Sequence, residues 1–215
     1  MKQISKFFIW TIFFSIISML YFYYNYQFWT HLKVDNLDTL VEFKSENIKG
    51  FRGKQILIHY KFNPYMIEID KYAKKNQVEL IINQSYRNSR QQLTKTIVNA
   101  TKMSNHLAGF AIDFNLKYNN VKYFSKDLKL NNLAKLPKNI QNFINDIRDD
   151  KNLRWGGMFI KEDPIHIDYP INLKSKKDWL EYSKLCNQDY IQGTPKWKSK
   201  ILTFYLNKSP KTFWY

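Results

Sequence analysis

Cysteine is nearly absent: Cys186 stands alone among 215 residues, so no internal disulfide staples the fold and no thiolate cluster can hold a metal. A nucleophilic thiol needs a histidine brought close to it. Nothing near Cys186 in the sequence suggests one, so this residue reads as a buried small hydrophobe. Acid is scarce as well. The chain carries 34 Lys and Arg against 18 Asp and Glu, a formal net charge of +16. Such a charge attracts polyanions, whether nucleic acid, anionic lipid or an acidic cell wall, without choosing among them. An AT-rich genome would give any protein the same surplus of Lys, Asn, Ile and Tyr. No recognised nucleic-acid-binding motif accompanies the charge, so a nucleic-acid partner is not expected. Apolar residues, by contrast, are plentiful. With 44% hydrophobic and 17% aromatic residues, the composition excludes a disordered chain and supports a packed core. The length suits one domain with short appendages.

Charge is missing altogether from Phe7 to Tyr24, FFIWTIFFSIISMLYFYY. As a helix this run would reach about 27 Å, close to the thickness of a bilayer core. Lys2 and Lys6 precede it, and tyrosines and Trp29 crowd its far end. The positive-inside rule and the aromatic belt then agree on a cytoplasmic N-terminus and a remainder outside, in the periplasm. Small residues that would mark signal-peptide cleavage are lacking after the run, so the expectation is an uncleaved single-pass anchor over residues 1–24. Residues 25–50 show no long periodic segment and read as a stalk. A folded domain follows over residues 51–185, and a basic aromatic tail over residues 186–215. From Gly193 onward that tail has lysines, aromatics and no acid, which suits either an anionic surface or packing on the domain with solvated lysines.

Within the domain, Gln55–Phe62 alternates as a half-buried strand, and Asn63-Pro64 opens a helix through about Lys75. The β-branched run Val78–Ile82 predicts a strand. Asn88 and Gln91 form a capping box for a helix over Ser89–Asn99. Further strands are predicted over Gly109–Leu116 and Pro164–Asn172, with a helix from Pro137 to near Asp150. Helices and strands mix without βαβ regularity, which predicts an α+β fold: a small antiparallel sheet with flanking helices.

Two histidines sit among carboxylates and glycines. His106 and Asp113, in SNHLAGFAID, are seven residues apart, and an extended chain at about 3.3 Å per residue would hold them over 20 Å apart. Shared metal ligands need the chain to turn between them, and Gly109 permits that turn. Asp113 lies among Ala111, Ile112 and Phe114, where an unpaired buried carboxylate is costly and a cation would satisfy it. His166 follows Asp163-Pro164-Ile165, downstream of Trp155-Gly156-Gly157. Two histidines and one carboxylate make a three-ligand zinc set with a fourth position left for water. A free carboxylate beside it, with Asp163 the candidate, would accept a proton. Spacing alone leaves other readings open. Arg87 could pair with a surface acid, Trp155 reads as core, and Asp168 reads as a structural hydrogen bond or ion pair. His31 and His59 lie outside any motif.

Taken together, the motifs resemble the D-alanyl-D-alanine carboxypeptidase-like zinc peptidases, a family that includes VanY-type carboxypeptidases and L-alanyl-D-glutamate endolysin peptidases. SNHLAGFAID is similar to its S-x-H-x-x-G-x-A-x-D signature, and Trp155-Gly156-Gly157 followed by Asp163-x-x-His166 to its second motif. Ser85-Tyr86-Arg87-Asn88 with Gln92 is similar to its G-Y-R-S segment and following glutamine. The resemblance covers roughly Lys54 to Tyr169. It implies zinc held by His106, Asp113 and His166, Asp163 as the base, Arg87 stabilising the oxyanion, and Gln92 and Ser104 binding substrate. Peptidoglycan stem peptides are the implied partner. Ser85 where glycine is usual, and Met158 where an acid or amide often follows Trp-Gly-Gly, bear on substrate preference. Asp163 in place of glutamate, together with the Trp-Gly-Gly, looks more like the endolysin type and implies cleavage between L-Ala and D-Glu. Removal of terminal D-Ala is the alternative within the family. A catalytically silent wall-binding module that keeps its metal for structure is the alternative outside it.

Overall fold

Alternation of apolar and polar side chains builds the sheet that carries the site. The structure is a computed structural model and describes residues 2–25, 31–89 and 102–195. Among these residues the strands are β1 (Leu40–Glu42), β2 (Ile48–Gly50), β3 (Leu57–His59), β4 (Glu79–Gln84), β5 (Ala111–Tyr118), β6 (Val121–Tyr123), β7 (Arg154–Trp155) and β8 (His166–Asp168). The helices are α1 (Lys2–Asn25), α2 (Asn63–Lys75), α3 (Lys138–Asp149), α4 (Ile171–Lys174) and α5 (Lys176–Gly193). The main sheet runs β2-β4-β5-β8-β7, with β6 folded back on β5, while β1 and β3 pair separately. The fold is mixed α+β, as the sequence predicts. It departs from a purely antiparallel sheet at one edge, where β2 joins β4 in parallel.

Along β5, Ile112, Phe114 and Leu116 are fully buried, whereas Asp113, Asn115 and Lys117 face the other side. This period of two is what a half-buried strand requires. Under the apolar face lies α3, whose Ile140, Phe143, Ile144 and Ile147 repeat at helical spacing and are all fully buried. Met66, Ile69 and Ala73 of α2 enter the same core. Each of the Ile, Phe and Met side chains contributes about 1.5–3 kcal/mol on burial, and Ala73 less. The β5–β6 hairpin turns on Asn119 and Asn120 with φ of 45° and 65°, the left-handed pair that a tight hairpin favours.

The stalk expected over residues 25–50 is corrected from Leu32 onward. Leu32, Leu40 and Ile48 are buried, β1 pairs with β3, and β2 extends the main sheet. These strands are three residues long, too short for alternation to register in the sequence. The domain also runs past residue 185. Asp189 of α5 accepts hydrogen bonds from the backbone N–H groups of Thr39 and Leu40 at 2.6 and 2.7 Å, and Cys186 is buried against Ala108. The last strand stops at Asp168 and gives way to α4. Gln92, nearly all of the helix expected over Ser89–Asn99, and the tail beyond residue 195 lie outside the described residues.

Helix α1 exists, but among the described residues no helix is long and apolar enough to cross a membrane. Its side chains are described from Lys6 to Phe22, and they are exposed. The spanning anchor expected over Phe7–Tyr24 is therefore not supported.

Candidate active site

A short 3-10 turn, Asn105–Ala108, ends at Gly109 in the left-handed region, with φ of 75°. A Cβ on Gly109 would lie 2.6 Å from the backbone nitrogen of His59, which donates to the Gly109 carbonyl. Only glycine meets both demands. The turn reverses the chain, so that His106 Nε2 stands 3.1 Å from Asp113 Oδ1 at the start of β5. The β5–β8 register sets Asp113 opposite His166. His166 Nδ1 is 2.9 Å from the same carboxylate oxygen and 3.3 Å from His106 Nε2. All three ligand atoms lie within 4.8 Å of one another, a group able to hold a metal ion.

The outer ring nitrogens decide what faces inward. His106 Nδ1 lies 2.8 Å from the Ser85 carbonyl oxygen, which can only accept, so that nitrogen carries the proton and Nε2 presents a lone pair. His166 Nε2 lies 3.4 Å from Asp168 Oδ2, leaving Nδ1 toward the cluster. Two imidazole lone pairs and a carboxylate oxygen thus converge, and such a donor set calls for positive charge at its centre.

The titration directions agree with that demand. Burial pushes the Asp113 carboxyl up, but the charges and hydrogen bonds of His106 and His166 outweigh it and hold it well below the usual carboxylate range. Burial also opposes charge on His166, yet Asp113 and Asp168 raise it to about 10.

Asp163 enters through the turn before β8. Its backbone N–H donates to the Gly156 carbonyl, and its own carbonyl accepts from the His166 N–H, at 2.8 and 3.0 Å. A Cβ on Gly156 would meet the Asp163 carbonyl oxygen at 2.3 Å and His166 Cβ at 2.9 Å. Gly157 lies against the Trp155 ring, which is core and donates to the Pro164 carbonyl. The Trp-Gly-Gly motif therefore exists for close packing beneath the Asp163–His166 turn. Asp163 Oδ1 is a buried side-chain oxygen with no hydrogen-bond partner among the described residues. Burial and the nearby charge of Asp113 raise its pKa, while His166 and His106 oppose this. A half-buried carboxylate with a spare oxygen beside such a cluster is equipped to exchange a proton with water.

Arg87 is buried, and its backbone N–H is bonded to the His106 carbonyl at 3.0 Å. Among the described residues its guanidinium has no carboxylate within ion-pair distance, so a surface ion pair does not account for it. Burial lowers its pKa, and the charge of Asp113 opposes that shift. Ser104 precedes the ligand turn. Its carbonyl accepts from Leu107 N–H and from Trp179 Nε1, and its hydroxyl makes no capping bond. Ser85 has structural work, its Oγ accepting the Leu57 N–H at 3.0 Å. Met158 is exposed. His59 is buried away from the cluster, among the rings of Tyr60, Phe110 and Tyr182.

Sequence reading did not single out Asn105 and Arg154, which join Asp168 behind the cluster. The signal was available: on a strand, Asp168 two residues after His166 must share its face.

The family described as D-alanyl-D-alanine carboxypeptidase matches residues 98–169. This segment is about a third of the chain and holds His106, Asp113, Asp163 and His166. The resemblance drawn from the motifs is thereby borne out, and with it a metal-dependent peptidase as the activity class. No curated protein matches the chain.

Proposed function

We propose that the protein is a zinc-dependent peptidase that cuts peptidoglycan stem peptides outside the cytoplasm. The carrying observation is the convergence of His106, Asp113 and His166 beside a half-buried carboxylate, Asp163, whose Oδ1 has no hydrogen-bond partner among the described residues. Two imidazoles and one carboxylate suit zinc better than the hard cations, which favour all-oxygen sets. Zinc bound there would polarise the scissile carbonyl and make water acidic enough to deprotonate near neutral pH. Asp163 accepts the proton of the attacking water and returns it to the leaving amine. Arg87 stabilises the oxygen that becomes negative as the carbonyl is attacked. Ser104 and Gln92 orient the peptide.

The proposed bond is that between L-Ala and D-Glu, a choice resting on Asp163 in the D-x-x-H position behind Trp155-Gly156-Gly157. Removal of terminal D-Ala is the second reading, favoured by the description of the matching family. The location outside the cytoplasm is proposed from the substrate, since peptidoglycan lies there. Peptidoglycan is then the partner.

Muropeptides incubated with the zinc-loaded protein and analysed by mass spectrometry test the reaction. Free stem peptides beginning at D-Glu are expected. Release of D-alanine alone would move the assignment to the carboxypeptidase, and no cleavage would leave the silent wall-binding module. A tag placed after Tyr215 should be reached from the periplasm, and cytoplasmic exposure would refute the location.

A further inference from the structure

Behind the metal-ligand cluster lies a polar network that none of the proposed catalytic steps uses. Asp168 is buried, with 3% of its side chain exposed. It receives Arg154 through both arms, Nε to Oδ1 at 2.9 Å and Nη2 to Oδ2 at 2.6 Å. Asn105 Nδ2 donates to the same Oδ2 at 2.6 Å. That oxygen also faces His166 Nε2 at 3.4 Å. Asn105 is in turn held by Asn172, whose backbone N–H donates to its Oδ1 and whose Nδ2 donates to the Met103 carbonyl. Asp168 therefore touches both elements that present histidine ligands, the strand carrying His166 and the turn carrying His106.

We propose that the Arg154–Asp168 pair positions the metal site. Asp168 fixes the His166 ring so that Nδ1 faces Asp113 and His106, and through Asn105 it ties the His106 turn to β8. Arg154 holds both carboxylate oxygens of Asp168 in one orientation. A surface ion pair for stability alone would need neither the burial nor the third partner. A bidentate arginine, having five N–H donors in a fixed plane, holds a carboxylate in one orientation where a lysine would not. Phe159 extends the arrangement, since its ring lies 5.0 Å from the Arg154 guanidinium and 5.7 Å from the His166 ring. Both residues are positioning residues, acting through His166 and His106 rather than on substrate.

This inference rests on His106, Asp113 and His166 being metal ligands, and the experiment separates the two. Zinc affinity of the full chain is measured by competition with a chelating dye, and the absorption spectrum of the cobalt(II)-loaded protein reports ligand geometry. Asp168→Asn places an amide where three donors converge and should weaken zinc binding about 10–100-fold, as loss of an outer-shell partner does. Arg154→Lys keeps the charge but loses the two-armed grip. With its side chain 32% exposed in the parent, Arg154 tolerates this change, so the variant should melt like the parent in the metal-free state. It should nevertheless bind zinc several-fold more weakly, with a shifted cobalt spectrum. If Asp168→Asn does not fold, Arg154→Lys decides alone. Parent-like affinity and spectrum in the folded variants would overturn the positioning role. A parent that binds neither zinc nor cobalt would instead overturn the ligand assignment, and the positioning role with it.

Discussion

Asp163→Asn separates catalysis from folding most sharply, because the structure predicts opposite signs for the two. An amide cannot accept the proton of the attacking water, and general-base catalysis contributes about 10²–10⁴-fold. Turnover should fall by that factor, equivalent to about 3–5 kcal/mol at 1.36 kcal/mol per decade. Stability should move the other way in the metal-free protein. Asp163 is half-buried, its buried Oδ1 has no hydrogen-bond partner among the described residues, and burial together with Asp113 raises its pKa. The native state therefore holds that proton more tightly than the unfolded chain does. The resulting cost is present at pH 7 and disappears as pH falls below the ordinary carboxylate value of about 3.9. Leaving such a group unpaired costs about 1–3 kcal/mol. Replacing it with an uncharged side chain of the same shape should recover about 1 kcal/mol, or about 2–4 °C in melting temperature for a chain of this size. The assays are thermal unfolding of metal-free parent and variant at pH 7 and pH 4, zinc content, and muropeptide turnover. Near-parental turnover with zinc bound would refute Asp163 as the base. A loss of stability at pH 7 would refute the electrostatic argument.

His106→Ala, Asp113→Ala and His166→Ala should each lower zinc occupancy sharply, since three protein ligands leave no redundancy; metal analysis of the purified variants checks this, and full occupancy in all three would sink the assignment. Arg87→Ala should retain zinc while turnover drops about 10²–10³-fold, the usual loss for an oxyanion donor, and steady-state kinetics showing a change in KM alone would argue for a binding role instead. Burial and the charge of Lys61 lower His59 to about 4, below its ordinary value of about 6.5. Its neutral state therefore supports the fold above pH 6.5, and that support is lost as pH falls toward 4. Urea unfolding should show a pH-dependent loss of about 3 kcal/mol over this window, much reduced in His59→Gln, and identical slopes for the two proteins would exclude His59 as the cause.

Much of the site was legible because the chemistry is written in local segments. His106, Gly109 and Asp113 lie within eight residues, and a shared ligand role for the first and last demands a turn that only the glycine between them can make. Asp163 and His166 are three apart on one turn, and Gly156 precedes them because the backbone passes too close for a Cβ. Periodicity sufficed for α3, whose four buried positions follow helical spacing, and for β5, whose alternate residues divide core from site.

Tertiary structure decided what no segment contains. The strands β1 and β2 take their stability from β3 and β4, whose paired residues lie 15 or more positions away, so a reading of residues 25–50 by local pattern sees no periodic element there. Asp189 holds β1 across 150 residues of chain, a contact that makes the region after residue 185 part of the domain. The two ligand segments are brought together by the β5–β8 register, which pairs Asp113 with His166, and register is a property of the assembled sheet. The sequence alone determined which residues can bind a metal and where the chain must turn, because side-chain chemistry and backbone freedom are local. Which lone pairs face one another, and which carboxylate oxygen has no hydrogen-bond partner among the described residues, was decided only by the fold, because distance and burial are set by elements far apart in the chain.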